Sequence, residues 1–185
     1  MNVTLILGSI RSDRQSHKPA LYFRDLLMQA GHQVDYLDPK ELGIPLFDDG
    51  PEQKESQPVT RLKQSVLGAD VIVLVFPEYN HDVSATMRNT LAYLRDRELM
   101  HRPVGLIGVS NGQIGGARAL YAAKASFPTL GGVMLPTAVQ VPLVQDSFPD
   151  EYTCTDEKIK KGMDQLIREI SAYGPALIQV RSQLG

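Results

Sequence analysis

Residues 71–76 read VIVLVF, an unbroken run of six apolar side chains, four of them β-branched. A strand with one wet face alternates apolar and polar residues. A strand without alternation is covered on both faces, as in a parallel sheet flanked by helices. VTLIL at 3–7 has the same character, and PVGLIGVS (103–110) and VMLPTAVQV (133–141) follow it less strictly. QVDYL (33–37) alternates more, which predicts a place nearer a sheet edge.

Helical periodicity fills the gaps. Ala20, Phe23, Leu27 and Ala30 share one face of a first helix, with Ser16 as its expected N-cap, Pro19 in its first turn and Gly31 as its stop. PVTRLKQSVLGAD predicts a second helix ending near Gly68. Met87, Leu91 and Leu94 mark a third, and IGGARALYAAKASF a fourth. Ile159, Met163, Leu166, Ile170 and Tyr173 build a fifth, which Gly174 and Pro175 are expected to break or bend. The alternation βαβαβαβαβα implies a doubly wound α/β fold of three layers, with a five-stranded parallel sheet in the order 2-1-3-4-5. The 185 residues fit a single domain, and the Pro-, Gly- and charge-rich stretch 39–58 reads as a long surface loop inside it.

Composition narrows the function. With 43% hydrophobic and 22% charged residues, the chain is ordinary for a soluble globular protein. A net charge of −2 argues against general attraction to nucleic acid. No stretch approaches the ~20 apolar residues of a membrane span, and residues 1–12 lack the basic start and apolar length of a signal peptide. Cys154 is the one cysteine, so no intrachain disulfide is expected, and the cytoplasm is the default location. No Cys/His cluster has metal-ligand spacing and no G-x-S-x-G elbow occurs. Cys154 lacks a phosphatase-type loop and reads as an inert thiol. Phe76 and Pro77 stand where a response-regulator receiver needs an aspartate.

Open α/β sheets bind ligands beyond the carboxyl ends of their strands, which singles out three loops. After the first strand comes GSIRSDRQS, where Gly8 gives room, Ser9, Gln15 and Ser16 offer donors, Arg11 and Arg14 offer charge, and a helix N-terminus follows. It reads as a phosphate anchor or as a polar turn with solvent-facing arginines. It has neither the dinucleotide nor the P-loop glycine spacing. After the third strand, Pro77 is expected to stop the strand, and Glu78, Tyr79, Asn80 and His81 follow it in PEYNHDVSATMRN, with Ser84 set to cap the next helix. Tyr79 and Asn80 suit a flat heterocycle, and a capped turn is the other reading; His81 is a general acid or a solvated side chain. After the fourth strand, SNGQIGGAR offers Ser110, Asn111, Gly112, Gly115 and Gly116. It reads as a backbone cradle for a flat ligand or as a packing turn.

Taken together, GSIRSDRQS, PEYN with MRNTLAYL behind it, and SNGQIGGAR resemble the NAD(P)H-dependent FMN reductases of the flavodoxin-like superfamily, a group that includes quinone, chromate and azo-dye reductases. The likeness runs over residues 2–172. It implies that Ser9, Arg11, Gln15 and Ser16 hold the FMN phosphate, with Arg14 as an extra contact. Pro77, Glu78, Tyr79 and Asn80 would line the ribityl chain and ring, and Ser110, Asn111, Gly112, Gly115 and Gly116 its other edge. The cofactor would carry the hydride, so no catalytic side chain is expected. NADPH or NADH would be co-substrate, and a quinone, free flavin, azo compound or metal oxyanion would be acceptor, in a ping-pong cycle. A homodimer or homotetramer is implied, with the flavin near the interface. His81 and Asp82 stand where the family frequently has small residues. The readings from other classes are a flavodoxin-type electron carrier, against which the weak net charge and the two loop arginines speak, and a flavin-binding regulatory module.

Overall fold

The computed structural model describes residues 1–94 and 98–184. Its strands are β1 (Asn2–Leu7), β2 (Gln33–Leu37), β3 (Val71–Tyr79), β4 (Asp82–Val83), β5 (Pro103–Val109) and β6 (Val133–Val141). Its helices are α1 (His17–Gln29), α2 (Pro39–Leu42), α3 (Pro51–Lys54), α4 (Gln57–Gly68), α5 (Ala85–Ala92), α6 (Ala117–Ser126), α7 (Val144–Ser147) and α8 (Glu157–Leu184), with a 3-10 turn at Phe127–Leu130. The long strands lie in the order β2-β1-β3-β5-β6, all parallel. Counted without the two-residue β4, this is the expected 2-1-3-4-5 of a flavodoxin-like sheet.

The apolar run in β3 has the predicted cause. Val71, Val73 and Val75 face α1 and α8, packing with Phe23, Leu27, Met163, Leu166 and Ile170. Ile72, Leu74 and Phe76 face the other way, onto Val59, Leu62 and Val66 of α4, Met87 and Leu91 of α5, and Leu120 of α6. Both faces of the central strand are buried because successive side chains point to opposite sides. Strand β2 lies at the sheet edge, as expected, and is only partly buried over most of its length. Edge strand β6 accommodates Pro136 beside a register shift opposite Val104 and Leu106.

Three expectations are corrected. Pro77 does not end β3, which continues to Tyr79 and turns back through Asn80 and His81 into β4. Both turn residues have positive φ, 51° and 64°, as a two-residue hairpin requires. Stretch 39–58 is more than loop: α2 and α3 each open on a proline, whose fixed φ suits the first helical position. Finally, α8 runs unbroken through Gly174 and Pro175. Gly174 seats the helix on Met1 and Val71, where a Cβ would lie 2.4 Å from the Met1 sulfur. Beyond it, Arg181 holds the last turns to Asp70, with Nη1 donating to the Asp70 carbonyl at 3.4 Å.

Gly8 marks a close approach of the end of β1 to β3. A Cβ there would sit 2.7 Å from Phe76 Cβ and 3.0 Å from Met87 Cε, and Phe76 Cβ cannot swing away. Gly8→Ala is therefore expected to destabilise the fold by about 1–3 kcal/mol, the usual cost of overpacking. Urea denaturation at unchanged m-value checks this.

Candidate functional site

The Gly8 amide donates to the Val75 carbonyl at 2.7 Å, and Ser84 Oγ donates to the Gly8 carbonyl. Ser84 also caps α5 by accepting from the Met87 amide, as its sequence position suggested. These bonds bring the loops after β1 and β3 together. Ser9 Oγ and Tyr79 Oη meet at 3.1 Å, and the Arg11 guanidinium lies 5.9 Å from the Tyr79 ring centroid.

The cleft so formed has a volume of about 270 Å3. Its lining includes Arg11, Arg14, Gln15 and Ser16 from the first loop, Pro77, Glu78 and Tyr79 from the second, and Ser110, Asn111 and Gly112 from the third. Ser9 lies just behind, buried against Tyr79. Asn80 and His81 sit outward in the hairpin turn, and the exposed His81 ring accepts from Arg118 Nη1 at 3.0 Å. Gly115 and Gly116 do not line the cleft. Both have positive φ; a Cβ on Gly116 would lie 2.7 Å from the Gly108 carbonyl carbon and one on Gly115 2.7 Å from the Pro142 nitrogen, so they press the third loop onto the ends of β5 and β6. The lining adds four residues that were not among the expected site residues: Asp13, Val109 at the end of β5, and Val144 and Gln145 from the segment after β6. The last strand also ends at this edge, so the rule that selected the other loops selects this one too.

Electrostatics make the cleft a site for an anion. Helix α2 is capped by the Asp38 carboxylate and α6 by Glu78, whose Oε2 accepts from the Arg118 and Ala119 amides at 3.0 and 3.3 Å. Helix α1 is left open. Ser16 stands at its N-cap position, but its backbone is helical and its side chain makes no cap bond, contrary to the sequence expectation. No acidic residue lies in the first turn. The positive end of a 13-residue helix thus faces the cleft unneutralised. Beside it, Ser16 Oγ and Gln15 Oε1 are buried without a hydrogen-bond partner. Such orphaned groups call for a polar partner: the Ser16 hydroxyl can donate to one, while Gln15 Nε2 donates to the Asp13 carbonyl at 3.1 Å and leaves its Oε1 as an acceptor. A single phosphate fits this donor set.

The two arginines differ. Arg11 is exposed and donates from Nε and Nη2 to Asp13 at 3.1 and 2.8 Å, a solvated pair that a bound anion can replace. Arg14 faces neither solvent nor open cleft alone: Nη1 donates to the Ser9 carbonyl and to Asp38 Oδ1, both at 3.0 Å, and Nη2 to Asp38 Oδ2.

A larger hollow of about 410 Å3 opens at the opposite, amino edge of the sheet. Its polar groups satisfy one another. Arg61 donates to both Asp35 oxygens at 2.8 and 2.6 Å, and Ser65 Oγ donates to Asp35 as well. The Arg61 guanidinium holds the Asp35 carboxyl below the usual carboxylate range. The cleft with unsatisfied donors is therefore the better candidate.

Comparison with known proteins agrees. The family model described as NADPH-dependent FMN reductase matches residues 1–146. The chain is 31% identical to the NADPH azoreductase of Bacillus sp. (strain OY1-2), over 100% of this chain and 99% of that protein. The chain belongs to the NADPH-dependent FMN reductase family. It is also 29% identical to the quinone reductase of Escherichia coli (strain K12), over 98% of this chain and 97% of that protein. In structure it resembles the flavoenzyme NAD(P)H:(acceptor) oxidoreductase FerB from Paracoccus denitrificans, with a TM-score of 0.76 at 24% identity, over 96% and 97% of the two chains, which bears on the fold. Among the described residues, no helix is long and apolar enough to cross a membrane, and no three His, Cys, Asp or Glu are grouped to hold a metal ion.

Two outcomes follow from the geometry. Glu78→Ala removes the acceptor of two amides at the start of α6 and is expected to cost about 1–3 kcal/mol in urea denaturation. Cys154 is buried, and burial pushes its thiol pKa up. It should react slowly with a disulfide reagent in the native protein and give one full equivalent in urea.

Proposed function

We propose that the cleft holds FMN, that residues 1–185 act as a single FMN-binding domain, and that the enzyme passes reducing equivalents from NAD(P)H to a small acceptor in a ping-pong sequence. The observation carrying this reading is the open N-terminus of α1, with buried, partnerless Ser16 Oγ and Gln15 Oε1 beside it. FMN has one phosphate, and one compact donor set meets it without a dinucleotide fingerprint.

The chemistry that bound FMN supplies is acceptance of hydride and onward transfer of two electrons. The protein's part is to bind and orient. Ser9, Arg11, Gln15 and Ser16 hold the phosphate. Pro77, Glu78, Tyr79 and Asn80 flank the ribityl chain and ring. Ser110, Asn111 and Gly112 take its other edge, with Gly115 and Gly116 fixing the shape of their loop. No side chain is needed as a proton donor, and the exposed His81 is engaged by Arg118. The names of the azoreductase and quinone reductase relatives support azo compounds and quinones as acceptors; free flavins and metal oxyanions are the other small oxidants within the proposal. Exposed Ile10 and Leu46, at 55% and 80%, supply apolar surface beside the site for a homodimer or homotetramer.

Flavin-free protein should quench FMN fluorescence with saturable 1:1 binding, and the loaded protein should oxidise NAD(P)H when given a quinone. Arg11→Ala should weaken FMN binding by about tenfold, the value of one charge-assisted contact. Its melting temperature should stay close to wild type, because the side chain is exposed. A protein that takes up no FMN, or one that turns over NAD(P)H only with an added reductase, defeats the proposal.

A further inference from the structure

We infer that Asp38 is a positioning residue for the phosphate site, acting through Arg14; this rests on the FMN reading of the cleft. Asp38 lies at the end of β2 and does not line the cleft. Its side chain is 3% exposed and that of Arg14 14%. Oδ1 accepts from the Lys40 amide and from Arg14 Nη1, each at 3.0 Å, and Oδ2 accepts from Arg14 Nη2. Arg14 Nη1 also donates to the Ser9 carbonyl at 3.0 Å. The loop from Ser9 to Ser16 is thus closed on itself by Arg14, and Asp38 fixes that closure to the sheet. A second brace holds the same turn: His17 Nδ1 bonds the Arg14 carbonyl, and His17 Nε2 lies 3.1 Å from Glu151 Oε1. The next two residues after Arg14 are the ones with partnerless atoms, Gln15 and Ser16. Held this way, they are aimed before any ligand arrives, and binding does not have to order them.

The sign of the effect separates this role from its rivals. Asp38 carries the same charge as a phosphate, so removing that charge should tighten binding if only field mattered. Freeing Arg14 to reach the phosphate should tighten it too. A positioning role has the opposite sign: binding weakens although a negative charge has been removed. The effect is confined to the phosphate, because Asp38 braces the phosphate loop and neither of the other two.

The test compares FMN with riboflavin, which lacks the phosphate, on the full chain freed of flavin. Asp38→Asn keeps an acceptor for the Lys40 amide but loses the charge and one partner of Arg14. It is expected to raise the Kd for FMN by about tenfold while leaving the Kd for riboflavin within about twofold of wild type. Should this variant not fold, the double variant Arg14→Gln, Asp38→Asn, which leaves no unpaired buried charge, is expected to show the same loss of FMN-over-riboflavin preference. Unchanged or tighter FMN binding in the variant that folds overturns the inference and leaves the FMN site standing. An equal loss for both flavins also overturns it, since that is general loosening. A wild-type protein that binds neither flavin, or does not prefer FMN, overturns the phosphate-site reading itself and the inference with it.

Discussion

The close approach of β1 and β3 at Gly8 is the constraint on which the rest of the molecule turns. At the carboxyl end of β1 the backbone comes so near β3 that a Cβ at Gly8 would stand 2.7 Å from that of Phe76. With glycine there, the Gly8 carbonyl is free to take the Ser84 hydroxyl that also starts α5. One short contact therefore aligns the end of β1, the turn after β3 and the helix behind it. The contact between Ser9 and Tyr79, 3.1 Å apart at the back of the cleft, is a consequence of this alignment rather than a separate feature.

The helices at this edge then divide the work by how they begin. Their N-termini bring unpaired amides and positive potential to the same region. At α2, α5 and α6 that potential is spent on Asp38, Ser84 and Glu78. At α1 it is kept. Two carboxylates near the cleft are thus not opponents of an anion, since each is occupied by backbone amides and a guanidinium. Asp13 is the exception: it is exposed, its carboxylate pairs among the described residues with exposed Arg11, and it gives way to a stronger anion at little cost.

Most of the architecture was legible because it depends on patterns a chain carries locally. An apolar run without alternation specifies a strand with two covered faces, and Gly, Ser and Asn punctuate the turns. What escaped was decided by distant partners. Pro77 looks like a terminator, yet β3 pairs on to Tyr79 because Asn80 and His81 adopt positive φ and fold β4 back onto it. Pro175 looks like a breaker, yet α8 passes it while Gly174 rests on Met1 and Arg181 reaches Asp70. Ser16 has the residue type of a cap and the position of one, but its side chain is left without a partner. Ten of the fourteen residues named from the loops line the cleft; Gly115 and Gly116 shape their loop instead, which backbone conformation alone decides.

The first loop shows why residue type underdetermines role. Arg11 and Arg14 are three positions apart, carry the same charge, and both lie within reach of the cleft. What distinguishes them is what stands behind each. Arg11 has solvent and an exposed aspartate, so its guanidinium can be redirected to a ligand. Arg14 has a buried carboxylate from the next strand and a carbonyl of its own loop, and breaking that pair would leave a charge buried without compensation. Nothing in GSIRSDRQS reveals this, because Asp38 lies 24 positions from Arg14 and only the β1–β2 pairing brings them together. The loop thus holds one arginine available to a ligand and one that keeps the ligand's site in shape, and the edge strand determines which is which.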